Sequence, residues 1–495
     1  MIERVMEFKY ECKVFLSEFA LNDLRSYARF IGVNNPTKDK KKNVLIDEIV
    51  AVLAGEVLPQ PPSSRGAPVK NDLVNPKIIE GIERIRKAHV RIGGFEDTME
   101  RFREIKENPL VLRLSDSKTE PSSEAVVGAT FMGQLETMNG VSFLLPLSAT
   151  ANHPKIVVGV ELIRAYDLRE GDVISCSAEN RQNLMVAAQI STVNGMKVGS
   201  FSRFDFDEAK ICYPYQRISF CEKGKSNKML AKLLEWLVVV VKGQRGLVVA
   251  PPKTGKTTLL MEMAIAAKRA NANLVTISLL VDQPPEAVSL YRDLVGNENL
   301  LFTTYEDSPE KQMFVAEFAL KRAKRYAEMG KDVLLLVDSF NTLCRAFNET
   351  DESLGGKTLA CGLESKTVQY LKRYFGTARC FEKGGSLTII GALSINTGNP
   401  ADDLLRAELA PSSSLEIILS EELARRRIYP AIDLFDTRGK RASMATGLHE
   451  VVTNDLIRSD YLSEFTIEDL HQVLDESATF QEMETKVLKQ LKNKK

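Results

Sequence analysis

Ala250-Pro-Pro-Lys-Thr-Gly-Lys-Thr257 departs from the pattern G-x-x-x-x-G-K-[ST] only at its first position, where Ala stands for Gly. The octet follows the apolar run GLVVA and opens TTLLMEMAIAA, the strand-loop-helix setting in which that pattern works. Amides of such a loop and of the helix N-terminus converge on one spot and cradle phosphate oxygens. Lys256 is then expected to reach the β- and γ-phosphates, and the Thr257 hydroxyl to hold Mg²⁺. Pro252, Lys253, Thr254, Gly255 and Thr258 complete the expected nucleotide-binding stretch. Further along, DVLLLVD puts Asp338 at the end of a buried strand, where a carboxylate binds the same Mg²⁺ through its water shell.

Reading outward from the octet, β-rich apolar runs alternate with helical segments from about Asn227: GLVVA, NLVTISLLVD, DVLLLVD and SLTIIGALS. Continuous apolar strands separated by helices make a parallel α/β sheet. From about Ser122 to Phe206 the pattern changes to short apolar runs broken by Gly, Asn and Pro, such as VVGATFMGQLE, VSFLLPL and GDVISCSA. Those runs read as a small β-barrel or a sandwich. Nearer the start, Phe15, Phe19, Leu21 and Leu24 recur at helical spacing, as do Leu45, Ile46, Ile49, Val50 and Leu53. The basic turn PTKDKKKN between them is either a solvated loop or a nucleic-acid contact. The resulting division is a helical domain at 14–55, a Pro- and Ser-rich linker at 56–76, and a helical connector at 77–120. A β domain at 121–210, an α/β domain at 227–455 and a helical tail at 456–495 follow.

Bulk composition narrows the class. The 495 residues carry 66 basic and 66 acidic side chains, so whole-chain charge does not argue for nucleic acid and any such site must be a local patch. Seven cysteines lie scattered with no CxxC pair, which fits a reducing compartment better than a zinc site or a disulfide framework. The N-terminus lacks a signal-peptide pattern, and the apolar run Leu237 to Val241 is far too short to span a bilayer. A cytoplasmic protein without membrane partners is expected.

Several blocks together resemble the bacterial transcription termination factor Rho family, in the same order and at similar spacings. They are GQRGLVVAPPKTGKTTLL, LLVDQPPEAV, LLLVDSFNTLCRAFN, LKRYFGTARCFEKGGSLTIIGALSINTG and RRRIYPAID, spanning about 227 to 455. The resemblance implies a multidomain layout: a small helical N-terminal domain, an OB-type β-barrel that binds RNA, and a RecA-like P-loop ATPase with a helical C-terminal tail. It implies ATP and Mg²⁺ as cofactors, and as partners single-stranded RNA, the RNA polymerase transcription complex and five further copies in a homo-hexamer. Tyr429 falls where the family stacks an aromatic on adenine. Arg427 and Arg441 fall where it sends arginines to a neighbour's γ-phosphate, with Arg438 a rival for the second. Lys357, Thr358 and Leu359 match the loop that grips RNA in the channel.

The chain also departs from the family pattern. Gln283 stands where the family has the glutamate that activates water, and Pro284 replaces the arginine beside it. A glutamine amide can orient water but cannot take its proton. Glu286 lies near in sequence, and Thr342 replaces a basic residue while Arg345 is kept. In the second pore loop, Pro400 replaces a lysine. In the barrel region, Gly140-Val-Ser-Phe143 stands for Gly-Phe-Gly-Phe, leaving Phe143 as either the candidate base-stacking ring or a core side chain, with Arg164 and Arg169 as candidate phosphate contacts. Two readings result: an RNA-dependent ATPase and helicase of transcription termination, or a related protein that binds ATP and RNA but hydrolyses slowly and regulates.

Overall fold

The computed structural model describes residues 11–53 apart from 18, 32 and 34–40, then 77, 78, 82 and 85. It further describes 130–494 apart from 139, 148–154, 182–183, 223–227, 298, 351–360 and 441–444. The chain forms two compact units, of which the first holds the N-terminal helices with residues 137–141, and the second the rest of the barrel and the α/β domain.

In the first unit, helices at 11–17, Leu21–Phe30 and Lys42–Leu53 bury Leu16, Leu24, Leu45, Ile46, Ile49 and Val50 against one another. These are the residues at helical spacing, and their shared face is what lets so short a unit fold. The last helix takes in the final two residues of PTKDKKKN, while 36–40 of that run, the linker and most of the connector lie outside the described residues.

The barrel runs β1 (Thr130–Met138), β2 (Val141–Pro146), β3 (Ile156–Val157), β4 (Val173–Arg181) and β5 (Leu184–Val193), with a short β6 (Met196–Lys197) added on β5. Its strand order is β3-β2-β1-β4-β5, and β3 also pairs with β5, in parallel, which closes the sheet. A helix, Val160–Ala165, lies between β3 and β4. That is the OB arrangement, so the choice between barrel and sandwich falls to the barrel. Leu135, Leu144, Ile156, Ile174, Cys176, Ile190 and Val193 fill the interior. Two bulges in β4–β5, at Ser175/Cys176 and Ser177/Ala178, supply the bend that closure needs.

Continuous apolar strands build the second sheet: β8 (Arg245–Ala250), β9 (Leu274–Gln283), β10 (Leu300–Thr304), β11 (Asp332–Asp338), β13 (Ser386–Ser394), β14 (Leu415–Leu419) and β15 (Ile432–Gly439). Their order is β10-β9-β11-β13-β8-β14-β15, parallel except for β15. Two small strands, β7 (Ile211–Cys212) and β12 (Arg379–Phe381), pair beside β13. Helices cover both faces, so strand interiors such as Val333 to Val337 are fully buried. A Cβ at Gly391 of β13 would lie 2.1 Å from the Phe340 ring, so only glycine lets that ring cross the strand. This is a RecA-like P-loop ATPase domain, and its C-terminal helices Ile467–Asp475 and Phe480–Lys494 pack Leu470, Leu474, Met483 and Val487 into the same core as Trp236.

A buried polar seam joins barrel and motor within this unit. Arg322, fully buried, donates to Gln134 Oε1 at 2.7 Å and to the Leu147 carbonyl at 3.1 Å. Gln134 in turn donates to the Phe318 carbonyl at 2.8 Å, and Lys321 pairs with Glu136 at 2.6 Å and Glu170 at 2.9 Å. Burial pulls the Arg322 guanidinium down to about 10, offset by Tyr326 and Glu136, so it remains a cation at neutral pH.

Candidate active site

The phosphate loop lies between β8 and the helix Lys256–Ala270. Lys253 and Gly255 hold left-handed backbone, at φ 63° and 95°, which turns successive amides toward one side. Thr254, buried, donates its hydroxyl to the Pro251 carbonyl at 2.8 Å and locks the turn from behind. Lys256 Nζ lies 3.2 Å from that same carbonyl, folded back over the loop.

Across the loop mouth, Thr257 Oγ1 donates to Asp338 Oδ2 at 2.5 Å, although the two residues are 81 positions apart. The sheet does this: β11, which ends in Asp338, and β8, which feeds the loop, are separated only by β13. Ligands of open α/β sheets bind at such carboxyl ends. Burial pushes the Lys256 ammonium down from its usual range, against the pull of Asp338. Burial also pushes the Asp338 carboxyl up, offset by the Thr257 hydrogen bond and by Lys256. Each group is thus desolvated beyond what its neighbour repays, and a polyphosphate beside Lys256 with a cation beside Asp338 would repay both. A hydroxyl and a carboxylate are hard oxygen donors of the kind Mg²⁺ takes alongside phosphate oxygens, so the pair fits that ion.

Beside the loop opens a cavity of about 550 Å³, a common size for a small-molecule site. Lys253, Thr254, Gly255, Thr258 and Tyr429 line it. Tyr429 is 56% exposed, and its ring lies 3.7 Å from where a Cβ on Gly255 would sit. Lys228, Met229, Glu262 and Leu419 line it too, and the sequence does not single them out because they come from three separate segments. Glu262 alone carries a local signal, one helical turn beyond Thr258.

Other expected residues are placed as follows. Gln283 ends β9, half-buried, with its amide 3.5 Å from the Val281 carbonyl; Glu286 is exposed in the first turn of the next helix. Thr342 donates to the Ser339 carbonyl at 2.8 Å, so it caps the start of its helix locally instead of presenting a cation. Arg427 is exposed, with φ 59°, and Arg438 is exposed on β15. Pro400 opens a helix capped by Asn399. Arg441, Lys357, Thr358 and Leu359 lie outside the described residues.

Two expectations for the barrel fail. Phe143 is only 2% exposed, so its ring offers no open face for a base to stack upon. On β2 it stands directly across from Val157, within the sheet. Arg169 is taken up in ion pairs with Glu328 at 3.3 Å and Asp205 at 3.8 Å, which leaves it no free charge for phosphate. Arg164 remains exposed.

Residues 231–437 match the family model of the ATP synthase alpha/beta family, nucleotide-binding domain. The chain is 37% identical over 272 residues to the transcription termination factor Rho of Streptomyces coelicolor, covering 55% of this chain and 64% of that protein. It is 35% identical over 302 residues to the Bacillus subtilis Rho, covering 60% of this chain and 69% of the relative. A solved ATPase from the type III secretion system of pathogenic bacteria is similar over 57% of this chain and 86% of its own, at 18% identity. Its TM-score of 0.47 is too low to carry an argument. Among the described residues no helix is long and apolar enough to cross a membrane.

Proposed function

Because this chain belongs to the transcription termination factor Rho family, we propose that it is an ATP-driven translocase on single-stranded RNA. In this reading it acts as a homo-hexameric ring on transcription complexes of RNA polymerase. The observation that carries the reading is the Thr257–Asp338 contact at 2.5 Å, set under Lys256 at the mouth of the phosphate loop. A desolvated lysine and a desolvated aspartate together at the carboxyl end of a parallel sheet, beside a cavity, support a ligand site there.

The chain's own groups divide the work. Loop amides hold the β-phosphate, and Lys256 moves from the Pro251 carbonyl onto the β- and γ-phosphates. Thr257 and Asp338 would hold Mg²⁺, which neutralises charge building on the phosphates. Tyr429 stacks on adenine beside Gly255. Arg427 and Arg441 of one copy serve the γ-phosphate in the next, so hydrolysis depends on assembly. Lys357, Thr358 and Leu359 contact RNA in the channel.

Gln283 favours a second reading, in which the ring binds ATP and RNA but turns over slowly and regulates. At the end of β9 its amide can orient water but cannot take its proton, which then goes to solvent or to the γ-phosphate itself. Steady-state ATPase with poly(C) separates the two. The slow reading expects Gln283→Glu to raise turnover at least about tenfold, since a positioned base contributes roughly 10²–10⁴. Rapid wild-type turnover with no gain in the variant removes it. Absence of both poly(C) stimulation and ring-sized particles by mass measurement sinks the translocase reading itself.

A further inference from the structure

Cys212 and Cys380 lie far apart in sequence yet are Cα partners in the antiparallel pair β7–β12. Directly opposed residues share one face of a sheet, with Cα atoms roughly 4.5–5.5 Å apart. A disulfide spans about 4.4–6.8 Å between Cα atoms, so this register already satisfies its geometry.

The register is pinned on both sides. Two steps along, the Glu382 amide donates to the Lys210 carbonyl at 3.1 Å, and their side chains form an ion pair at 2.9 Å. The Phe381 ring packs against Phe204 at 4.7 Å and Phe206 at 5.0 Å between centroids. Arg379 covers the other side of Phe206, 4.8 Å from its centroid. Behind the pair, a Cβ on Gly243 would come within 2.7 Å of the Cys380 Cβ, so that cysteine has no room to retreat. Exposure differs usefully: Cys212 is half-buried and Cys380 buried. Burial, then the facing Cys212 thiol, pushes the Cys380 thiol up to about 12.

We propose that Cys212 and Cys380 form a reversible disulfide site that ties the connector between barrel and motor to the edge of the motor sheet. The Cys212 sulfur attacks a hydroperoxide and keeps one oxygen as a sulfenic acid, while the other oxygen leaves as water or an alcohol. The Cys380 sulfur then displaces the hydroxyl, which leaves as water with the Cys380 proton. Two thiols lose two electrons in all, and the hydroperoxide gains them. A dithiol reductant reverses the step by exchange. Without the bridge, β7 is a two-residue strand, a hold weak enough to open locally.

The test uses the full chain, treated with hydrogen peroxide, alkylated and digested for mass spectrometry, with amide exchange followed in parallel. A peptide pair linking Cys212 to Cys380 should dominate, vanish with dithiothreitol, and be absent from Cys212→Ser and Cys380→Ser. Amide exchange across 204–212 should slow at least about tenfold in oxidised wild type and in neither variant. Recovery of both cysteines as thiols or separate sulfinic acids overturns the proposal. So do a bridge elsewhere (Cys344 to Cys361, or between copies on a non-reducing gel) and unchanged exchange. Mapping the wild type alone decides the matter should a serine variant fail to fold.

Discussion

The loop mouth and the barrel seam use the same ingredients, long polar side chains taken out of water, and aim them in opposite directions. At the mouth, half-buried Lys256 and buried Asp338 have few partners, and each is shifted away from its charged form. At the seam, Arg322 and Glu136 are shifted away from their charged forms too, but Arg322, Gln134, Lys321 and Glu136 also bond one another and nearby carbonyls across the joint. Buried polar groups whose bonds run between two domains mark a joint, whereas a pair with few partners beside a cavity marks a place that receives something. By that measure the barrel is foremost a base bolted to the motor, and Phe143, whose β2 neighbour Leu144 fills the barrel interior, is buried outside that interior cluster.

Substitutions at four positions would break or sharpen that contrast. Lys256→Met should lower Mg·ATP affinity about a hundredfold, through loss of charge-assisted contacts of roughly 1.5–3 kcal/mol. By urea unfolding its stability should be unchanged or slightly raised, because a desolvated charge is gone; equal ATP affinity would dismiss the mouth as a site. Arg322→Met should do the reverse, costing about 2–3 kcal/mol of stability by stranding Gln134 and the Leu147 carbonyl, with ATP affinity of the folded protein intact. A neutral result there would mean the seam holds nothing. Tyr429→Ala should weaken ATP about fivefold, in line with an aromatic stacking gain of about 1 kcal/mol, and Tyr429→Phe should restore it. Smallest is Phe143→Leu: poly(C) affinity within about twofold of wild type, with about 1 kcal/mol of stability lost. Tenfold weaker RNA binding at full stability would instead return Phe143 to the role of a stacking platform.

How much of this was legible in the sequence follows from how local each signal is. The octet ending in Thr257 and the strand ending in Asp338 each carry their pattern within about ten residues, and parallel pairing at fixed register does the rest. Barrel closure depends on β3 meeting β5, a two-residue contact that no run of apolar residues announces. Phe143 stays open between a stacking ring and a core side chain in the sequence because neighbours on a strand face opposite ways, so a motif match fixes the residue but not its face. Glu262, Lys228 and Leu419 meet only in three dimensions, as do Cys212 and Cys380. Scattered cysteines without CxxC spacing suggest unpaired thiols, and only the sheet register shows two of them opposed.

The central claim is that Thr257 and Asp338 together seat the cation of a bound nucleotide. Calorimetric titration of ATP into the full chain, with Mg²⁺ and then with EDTA, tests it in wild type and in Asp338→Asn. The account predicts ATP binding that is at least about tenfold tighter with Mg²⁺ in wild type, and a ratio near one in the variant. Equal affinity with and without the ion in wild type, or a Mg²⁺ dependence that survives Asp338→Asn, would contradict it.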